Sequence, residues 1–119
     1  MQASASRHPR SERHLAANGH ECYELPAARP SFVPTAIDLL SEHHGFQLTR
    51  PVADGFDEVV AHVHRGDIAL YVAWDNWTGF DILSLSDAAD SVVRELATYF
   101  DAIKDDDRFA EHFDNDRNA

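Results

Sequence analysis

Apolar residues recur at the period of an α-helix in two segments of the chain. The first segment covers residues 32–44 and is followed by Gly45, a residue type that commonly ends helices. The second covers residues 87–104 and has the clearest i, i+3, i+4, i+7 stripe in the sequence. A serine just before it, Ser84 or Ser86, is placed to cap its first turn. The pattern therefore predicts two helices on either side of a central segment.

In the central segment apolar residues alternate with polar ones, which is typical of strands. Two strands are predicted over residues 58–64 and 67–74, with a tight turn at Arg65-Gly66 or one residue further along at Gly66-Asp67. Both turn positions divide the side chains between the two sheet faces in the same way, because the side-chain period of a strand is two. One face then carries an apolar set: Val59, Ala61, Val63, Ile68, Leu70, Val72 and Trp74.

A second hairpin follows, with a loop rich in turn-forming residues at 75–79. If Trp74 lies opposite Phe80 in this hairpin, then Val72 lies opposite Ile82. Both pairs would join the apolar face, so that three consecutive strands form one antiparallel meander.

Each predicted helix has one apolar stripe and the sheet has one apolar face, which must be buried together. The predicted fold class is α+β: a helix, a three- to four-stranded antiparallel meander and a helix, in a two-layer sandwich with both helices on one sheet face. A short edge strand at residues 46–48 and a helical turn at 108–113 complete a single domain over residues 31–114. Residues 1–30 show neither period and are expected to form a disordered arm, and residues 115–119 a frayed tail.

The formal net charge of −11 narrows the classes of partner. The first 30 residues carry four Arg and three Glu, whereas the rest of the chain carries six basic and eighteen acidic side chains. Such a surface repels nucleic-acid phosphate and anionic membranes. The acidic surface is compatible with a basic protein partner, and its simpler role is to keep the protein soluble. We therefore predict neither a nucleic acid nor a membrane as partner.

Cys22 is the only cysteine, which excludes an intramolecular disulfide and favours a reducing compartment. No apolar run reaches the roughly 20 residues that span a bilayer, and the N-terminus lacks the apolar segment of a secretory signal. These features predict a cytoplasmic protein. Because Cys22 lies in the expected arm without neighbours that would activate its thiol, no nucleophile is predicted there. No cofactor is predicted.

The other sheet face is neither apolar nor fully polar. It would carry Val60, His62, His64, Asp67, Ala69, Tyr71, Ala73, Asp81 and Leu83. Together with the second hairpin tip, this face supplies the candidate binding residues: Val60, Tyr71, Leu83, Asp75, Asn76 and Trp77. Large aromatic residues on such surfaces are common anchors in protein interfaces. The simpler interpretation of the tip is that Asp75 and Asn76 satisfy turn backbone while Trp77 packs over Phe80.

His62 and His64 point to the same face because they lie two residues apart on a strand, a spacing that suits two metal ligands. Asp67, next to His64 in the predicted hairpin, is the candidate third ligand. The simpler alternative is a partly solvated face on which His64 and Asp67 form a cross-strand pair. No residues are predicted to be catalytic.

The segment Asp67-Ile68-Ala69-Leu70-Tyr71-Val72-Ala73-Trp74-Asp75, followed by Gly79-Phe80-Asp81-Ile82, resembles small bacterial proteins of similar element order. Many of these proteins are uncharacterised, and some are immunity proteins of toxin–immunity systems. The resemblance covers residues 32–104 and is one of pattern, without signature residues. It implies a binding protein without catalytic residues, and it transfers no site.

Three functions follow as hypotheses. The first is a non-enzymatic acidic binding protein, for example an immunity protein that masks a basic toxin. The second is a small metal-binding or hydrolytic domain centred on His62 and His64. The third is a homo-oligomeric structural module, such as a homodimer, in which the mixed sheet face packs against its symmetry mate.

Overall fold

The computed structural model describes residues 9–114 as one seven-stranded antiparallel sheet, two α-helices and a short 3-10 helix. The strands are β1 (Glu12–Leu15), β2 (Glu21–Leu25), β3 (Gln47–Leu48), β4 (Ala53–Asp54), β5 (Glu58–Arg65), β6 (Ile68–Asp75) and β7 (Gly79–Ser84). The helices are α1 (Phe32–His44), α2 (Asp87–Ile103) and the 3-10 helix Asp107–His112. The order across the sheet is β1-β2-β7-β6-β5-β3, and β4 also pairs with β5.

The two predicted hairpins are present, and the structure fixes their register. Arg65 lies opposite Ile68, so the first turn is Gly66-Asp67, the second of the two positions allowed by the sequence. In the second hairpin Trp74 pairs with Phe80, as the sequence predicts. The division of residues between the two faces is therefore the predicted one.

Both helices begin and end close to their predicted limits because their end signals are used. At the C-terminus of α1, Gly45 adopts φ 73°, a left-handed conformation that favours glycine. At the N-terminus of α2, the Ser86 hydroxyl accepts a hydrogen bond from the Ala89 amide at 3.2 Å. The predicted turn at 108–113 is the 3-10 helix, and it buries Phe109 and Phe113.

The helices and one sheet face share a single hydrophobic core. Phe32 lies at its centre, with ring contacts to Phe80 on the sheet, Phe100 on α2 and Phe113 after the 3-10 helix. All four rings are at most 2% exposed. The cluster therefore joins α1, β7, α2 and the segment after the 3-10 helix, and each buried aromatic side chain contributes on the order of 2 kcal/mol through burial.

The predicted three- to four-stranded meander was too small. β5, β6 and β7 form the middle of a larger sheet, which β1 and β2 extend on one side and the two-residue strands β3 and β4 extend on the other. The expectation of a disordered arm is also wrong for residues 9–30, since β1 and β2 lie there. The remaining terminal residues, 1–8 and the predicted frayed tail, lie outside the described part of the chain.

Burial explains why β2 is ordered. Its Tyr23 and Leu25 side chains are fully buried in the core, and Leu25 lies opposite Phe80 on β7. The chain that follows is held from both sides: the Trp74 indole donates to the Ala28 carbonyl at 2.8 Å, and the Asp114 amide donates to the Ala27 carbonyl at 2.7 Å. The domain therefore begins well before residue 31.

A part-buried side-chain hydrogen bond joins β2 to α2. The Tyr23 hydroxyl donates to Asp101 Oδ1 at 2.8 Å. Burial acts to raise the pKa of Asp101, but hydrogen bonds from Ser11 and Tyr23 and the charge of Arg13 outweigh it and hold the pKa below its ordinary value. The carboxylate is therefore stabilised in the folded state.

We expect Tyr23→Phe to lower the free energy of unfolding at pH 7 by about 1 kcal/mol, since the exposed side of Asp101 is screened by water. A group with a lowered folded pKa contributes stability above its unfolded pKa and loses it as the pH falls. The difference between wild type and Tyr23→Phe should therefore shrink in acid. Urea denaturation at pH 7 and pH 3 measures this, and Tyr99→Phe on α2 is the matched control. A loss that is equal at both pH values would contradict the role of Asp101.

Among residues 9–114, no helix is long and apolar enough to cross a membrane.

Candidate functional site

The sheet face opposite the helices, called here the outer face, is left uncovered by the described helices. Its side chains alternate with those of the core along every long strand. Cys22 and Ala73 on this face are only 5% and 6% exposed, yet neither belongs to the core cluster. Larger neighbours on the same face therefore shield them. On β1, β2, β5, β6 and β7 the outer face comprises Glu12, His14, Cys22, Glu24, Glu58, Val60, His62, His64, Ala69, Tyr71, Ala73, Asp75, Asp81 and Leu83.

Three of the predicted binding residues lie together on the outer face. Tyr71 on β6 lies opposite Leu83 on β7 and opposite His62 on β5. Val60 lies two residues before His62 on β5, opposite Ala73. The Tyr71 and His62 rings meet edge to face with centroids 5.1 Å apart. All of these side chains except Ala73 are partly exposed, so the middle of the face is a mixed apolar and aromatic surface.

Beside this middle, Glu24 on β2 and Asp81 on β7 lie directly opposite each other. Burial raises the pKa of Asp81 to about 7, and the charges of Glu24 and Asp75 act in the same direction. Its Oδ1 atom is buried and has no hydrogen-bond partner among the described residues. Burial also raises the pKa of Glu24, although nearby His14 partly opposes this. The negative charges of Glu24 and Asp81 are therefore poorly compensated by nearby positive charge.

The predicted hairpin tip separates into a structural part and an exposed part. Asp75 accepts hydrogen bonds from the amides of Trp77 and Thr78 and from the Thr78 hydroxyl, at 2.7–2.8 Å. Burial acts to raise the pKa of Asp75, but these hydrogen bonds outweigh it and lower the pKa below its ordinary value. Trp77, in contrast, is 76% exposed. Asp75 thus shapes the turn, and Trp77 remains available to a partner.

A second exposed aromatic residue lies near this tip. Phe56, in the loop between β4 and β5, is 98% exposed. The two loops are joined by a hydrogen bond from the Asn76 amide to the Asp57 carbonyl at 3.1 Å. Phe56 could not be predicted as a candidate because an isolated apolar residue in a loop has no periodic signal.

The predicted metal ligands do not converge. His62 contacts the Tyr71 ring, and the Nδ1 atom of His64 lies 2.9 Å from the Thr49 hydroxyl. Asp67 is exposed in the turn, and Ala69 takes the position opposite His64. Across residues 9–114, these three residues are not among the clusters that bring three potential ligand atoms within 4.8 Å of one another.

One such cluster lies at the other end of the outer face. His14 on β1 is opposite Cys22 on β2, and Glu24 follows two residues later on the same face. Their ligand atoms all lie within 4.8 Å of one another. The cluster was not predicted because residues 1–30 were expected to form a disordered arm. The dipeptide Asn18-Gly19, a strong hairpin signal, could have revealed it.

The helix side of the molecule has a groove of about 510 Å3. It lies between the start of α1 and the segment from β3 to β5, and Val33, Ile37 and Val52 contribute to its mainly apolar lining. Its carboxylates, Asp38 and Asp54, are exposed. Within residues 9–114, neither of the two clusters of potential metal ligands lies in the groove.

No protein-family model, curated protein or solved structure matches this chain. The fold and the outer face define a small α+β protein with an acidic sheet surface that the described part of the chain leaves uncovered. Any function assigned to it therefore rests on its own residues.

Proposed function

We propose that this protein is a non-enzymatic binding protein whose outer face docks a basic protein partner. The observation that carries the proposal is the outer face itself. Residues 9–114 leave this sheet surface uncovered, and its apolar middle at Val60, Tyr71 and Leu83 is bordered by carboxylates. Uncovered apolar patches with a polar border are typical of protein interaction sites.

The charges of the outer face favour a basic partner over a second copy of the chain. Carboxylates are concentrated at the end of the face that carries the aromatic tips, with Glu58 opposite Asp75 and, in the next row, Glu24 opposite Asp81. Within the described strands, no lysine or arginine occupies an outer-face position. Two copies packed through this face would bring these carboxylates together, which costs free energy. A lysine or arginine would instead offset the poorly compensated negative charge of Glu24 and Asp81.

The exposed aromatic residues would provide anchors for such a partner. Phe56 and Trp77 lie on two loops joined by a hydrogen bond, at the end of the sheet where Glu58 and Asp75 lie. Tryptophan is enriched among residues that contribute most to interface affinity. A toxin with a basic surface, as the resemblance to immunity proteins suggests, is one partner of this chemistry.

The proposal predicts that a basic partner is recovered from the native host and that it binds through the outer face. We expect Glu58→Lys combined with Tyr71→Ala to weaken binding by at least about 100-fold, through the loss of a charge and of a central apolar contact. Glu58→Lys should not unfold the protein, because its register partner is Asp75. The measurement is calorimetric titration of the identified partner, at low and at high salt.

The matched control is Glu95→Lys, which makes the same charge change on an exposed position of α2. It should bind the partner as wild type does. Equal weakening by Glu95→Lys would contradict docking through the outer face, as would recovery of an acidic partner or of none. A dimer by light scattering that the outer-face variant dissociates would favour the homo-oligomeric alternative instead.

A further inference from the structure

The N-terminal hairpin brings three different metal-ligating side chains together. His14 lies in β1, and Cys22 and Glu24 lie in β2, on the same face. Each offers one ligand atom, and these atoms lie within 4.8 Å of one another. The distance from His14 Nε2 to Glu24 Oε2 is 3.6 Å. Ligand atoms of a tetrahedral zinc ion lie about 3.3–3.7 Å apart, given metal–ligand distances of about 2.0–2.3 Å. Small side-chain rotations would complete this geometry.

We propose that His14, Cys22 and Glu24 bind a divalent transition-metal ion of the zinc type, with the fourth coordination position left to water. A thiolate and an imidazole select zinc-like ions over calcium and magnesium, which prefer oxygen ligands. The three residues are held by adjacent strands, so no loop has to fold around the ion. His14 lies toward solvent and gives the ion a route of entry.

The charges around Cys22 support a cation at this place. Glu24 lies directly opposite Asp81, so a second carboxylate adjoins the cluster. Among residues 9–114, the buried Oδ1 atom of Asp81 has no hydrogen-bond partner. These carboxylates favour a bound cation, which displaces the thiol proton and becomes the largest local charge.

A second cluster, formed by His20, Asp87 and Asp90, is better explained as structural. Asp90 accepts a hydrogen bond from the Glu21 amide at 3.1 Å, and both of its carboxylate oxygens lie 3.2 Å from His20 Nδ1. These contacts attach the β1–β2 loop to the first turn of α2. The carboxylate thus has partners within the fold, unlike Asp81.

The experiment titrates the full-length protein, freed of metal by a chelator, with Zn²⁺ and with Co²⁺. We expect one ion per chain and, with Co²⁺, the near-ultraviolet charge-transfer band of a thiolate ligand. Cys22→Ser should remove that band, and His14→Gln or Glu24→Gln should weaken Zn²⁺ binding by at least about 10-fold. His14→Gln alters a side chain that is 42% exposed, so this variant should fold, and far-ultraviolet circular dichroism checks it.

The control is His62→Gln, which removes a histidine from the same sheet face outside the cluster. It should leave the Zn²⁺ affinity and the thiolate band unchanged. If wild type shows no thiolate band with Co²⁺, the proposal is overturned. If His62→Gln abolishes binding, the ion belongs to His62 and His64 instead, which also overturns it. Because metal binding is measured on the protein alone, its outcome does not depend on the proposed partner.

Discussion

Gly79→Ala is expected to lower the free energy of unfolding by about 4 kcal/mol, a large part of the stability of a domain of this size. Gly79 begins β7 with φ 80°, in the left-handed region that side chains other than glycine rarely adopt. A Cβ atom placed there would lie 2.6 Å from the Pro26 carbonyl oxygen and 2.7 Å from that of Leu25. Both contacts are with backbone, so no side chain can rotate away. The hairpin and β2 would have to separate.

The chain contains a matched control for this substitution. Gly19, in the loop between β1 and β2, has φ 83°, but a Cβ atom there would meet nothing within 4 Å. Gly19→Ala should therefore cost only the backbone strain, about 1–2 kcal/mol. Urea denaturation of the two variants separates strain from steric clash. Equal losses would show that β2 does not pack against Gly79 as described.

The elements that the sequence predicts well are those with both a periodic pattern and an end signal. α1 has an apolar stripe and Gly45, and α2 has a stripe and the Ser86 cap. The hairpins could be predicted because strand parity fixes the two faces whichever turn position is used. For the same reason Val60, Tyr71 and Leu83 could be placed on one face before their contacts were known.

The N-terminal hairpin was missed because β1 lacks an amphipathic pattern and all four of its residues are exposed. β2 is short, and it is ordered by contacts with residues far away in sequence. Tyr23 reaches Asp101, and Leu25 lies opposite Phe80. Such long-range packing orders a segment whose local sequence pattern is typical of a flexible chain. Because the hairpin was missed, the cluster of His14, Cys22 and Glu24 was missed as well.

The opposed carboxylates of Glu24 and Asp81 could not be predicted for the same reason. Their proximity depends on β2 pairing with β7, two strands that are far apart in the sequence. In the sequence, nothing distinguishes Asp81 from the many other acidic residues. Its shifted pKa arises only when burial and the facing Glu24 are known.

Asp81→Asn is expected to raise the free energy of unfolding at pH 8 by about 2 kcal/mol. The pKa of Asp81 is raised from an ordinary value of 3.8 to about 7, so the folded protein binds a proton more tightly than the unfolded chain. Stability from such a group is fully present below pH 3.8 and is lost as the pH rises to about 7. The full shift corresponds to roughly 4 kcal/mol, and partial access of water to Asp81 reduces the expected gain.

The gain should therefore be largest at pH 8 and shrink towards pH 4, where wild-type Asp81 is mostly protonated. Urea denaturation of both proteins in the presence of a chelator measures it, and the difference between them cancels the titration of other groups. Asp67→Asn, an isosteric change in the exposed first turn, is the control and should change stability by less than about 0.5 kcal/mol at either pH. A gain independent of pH would contradict a buried, uncompensated charge at Asp81.

A stabilising Asp81→Asn substitution would also bear on function. A charge that destabilises the folded protein at neutral pH is typical of residues kept for binding, since the cost is recovered when a cation pairs with it. The same substitution should then weaken binding of the proposed basic partner while it raises the free energy of unfolding. If Asp81→Asn strengthens the fold and leaves the partner's affinity unchanged, the basic group does not contact the Glu24–Asp81 pair. The interface would then be confined to Tyr71, Glu58 and the aromatic tips.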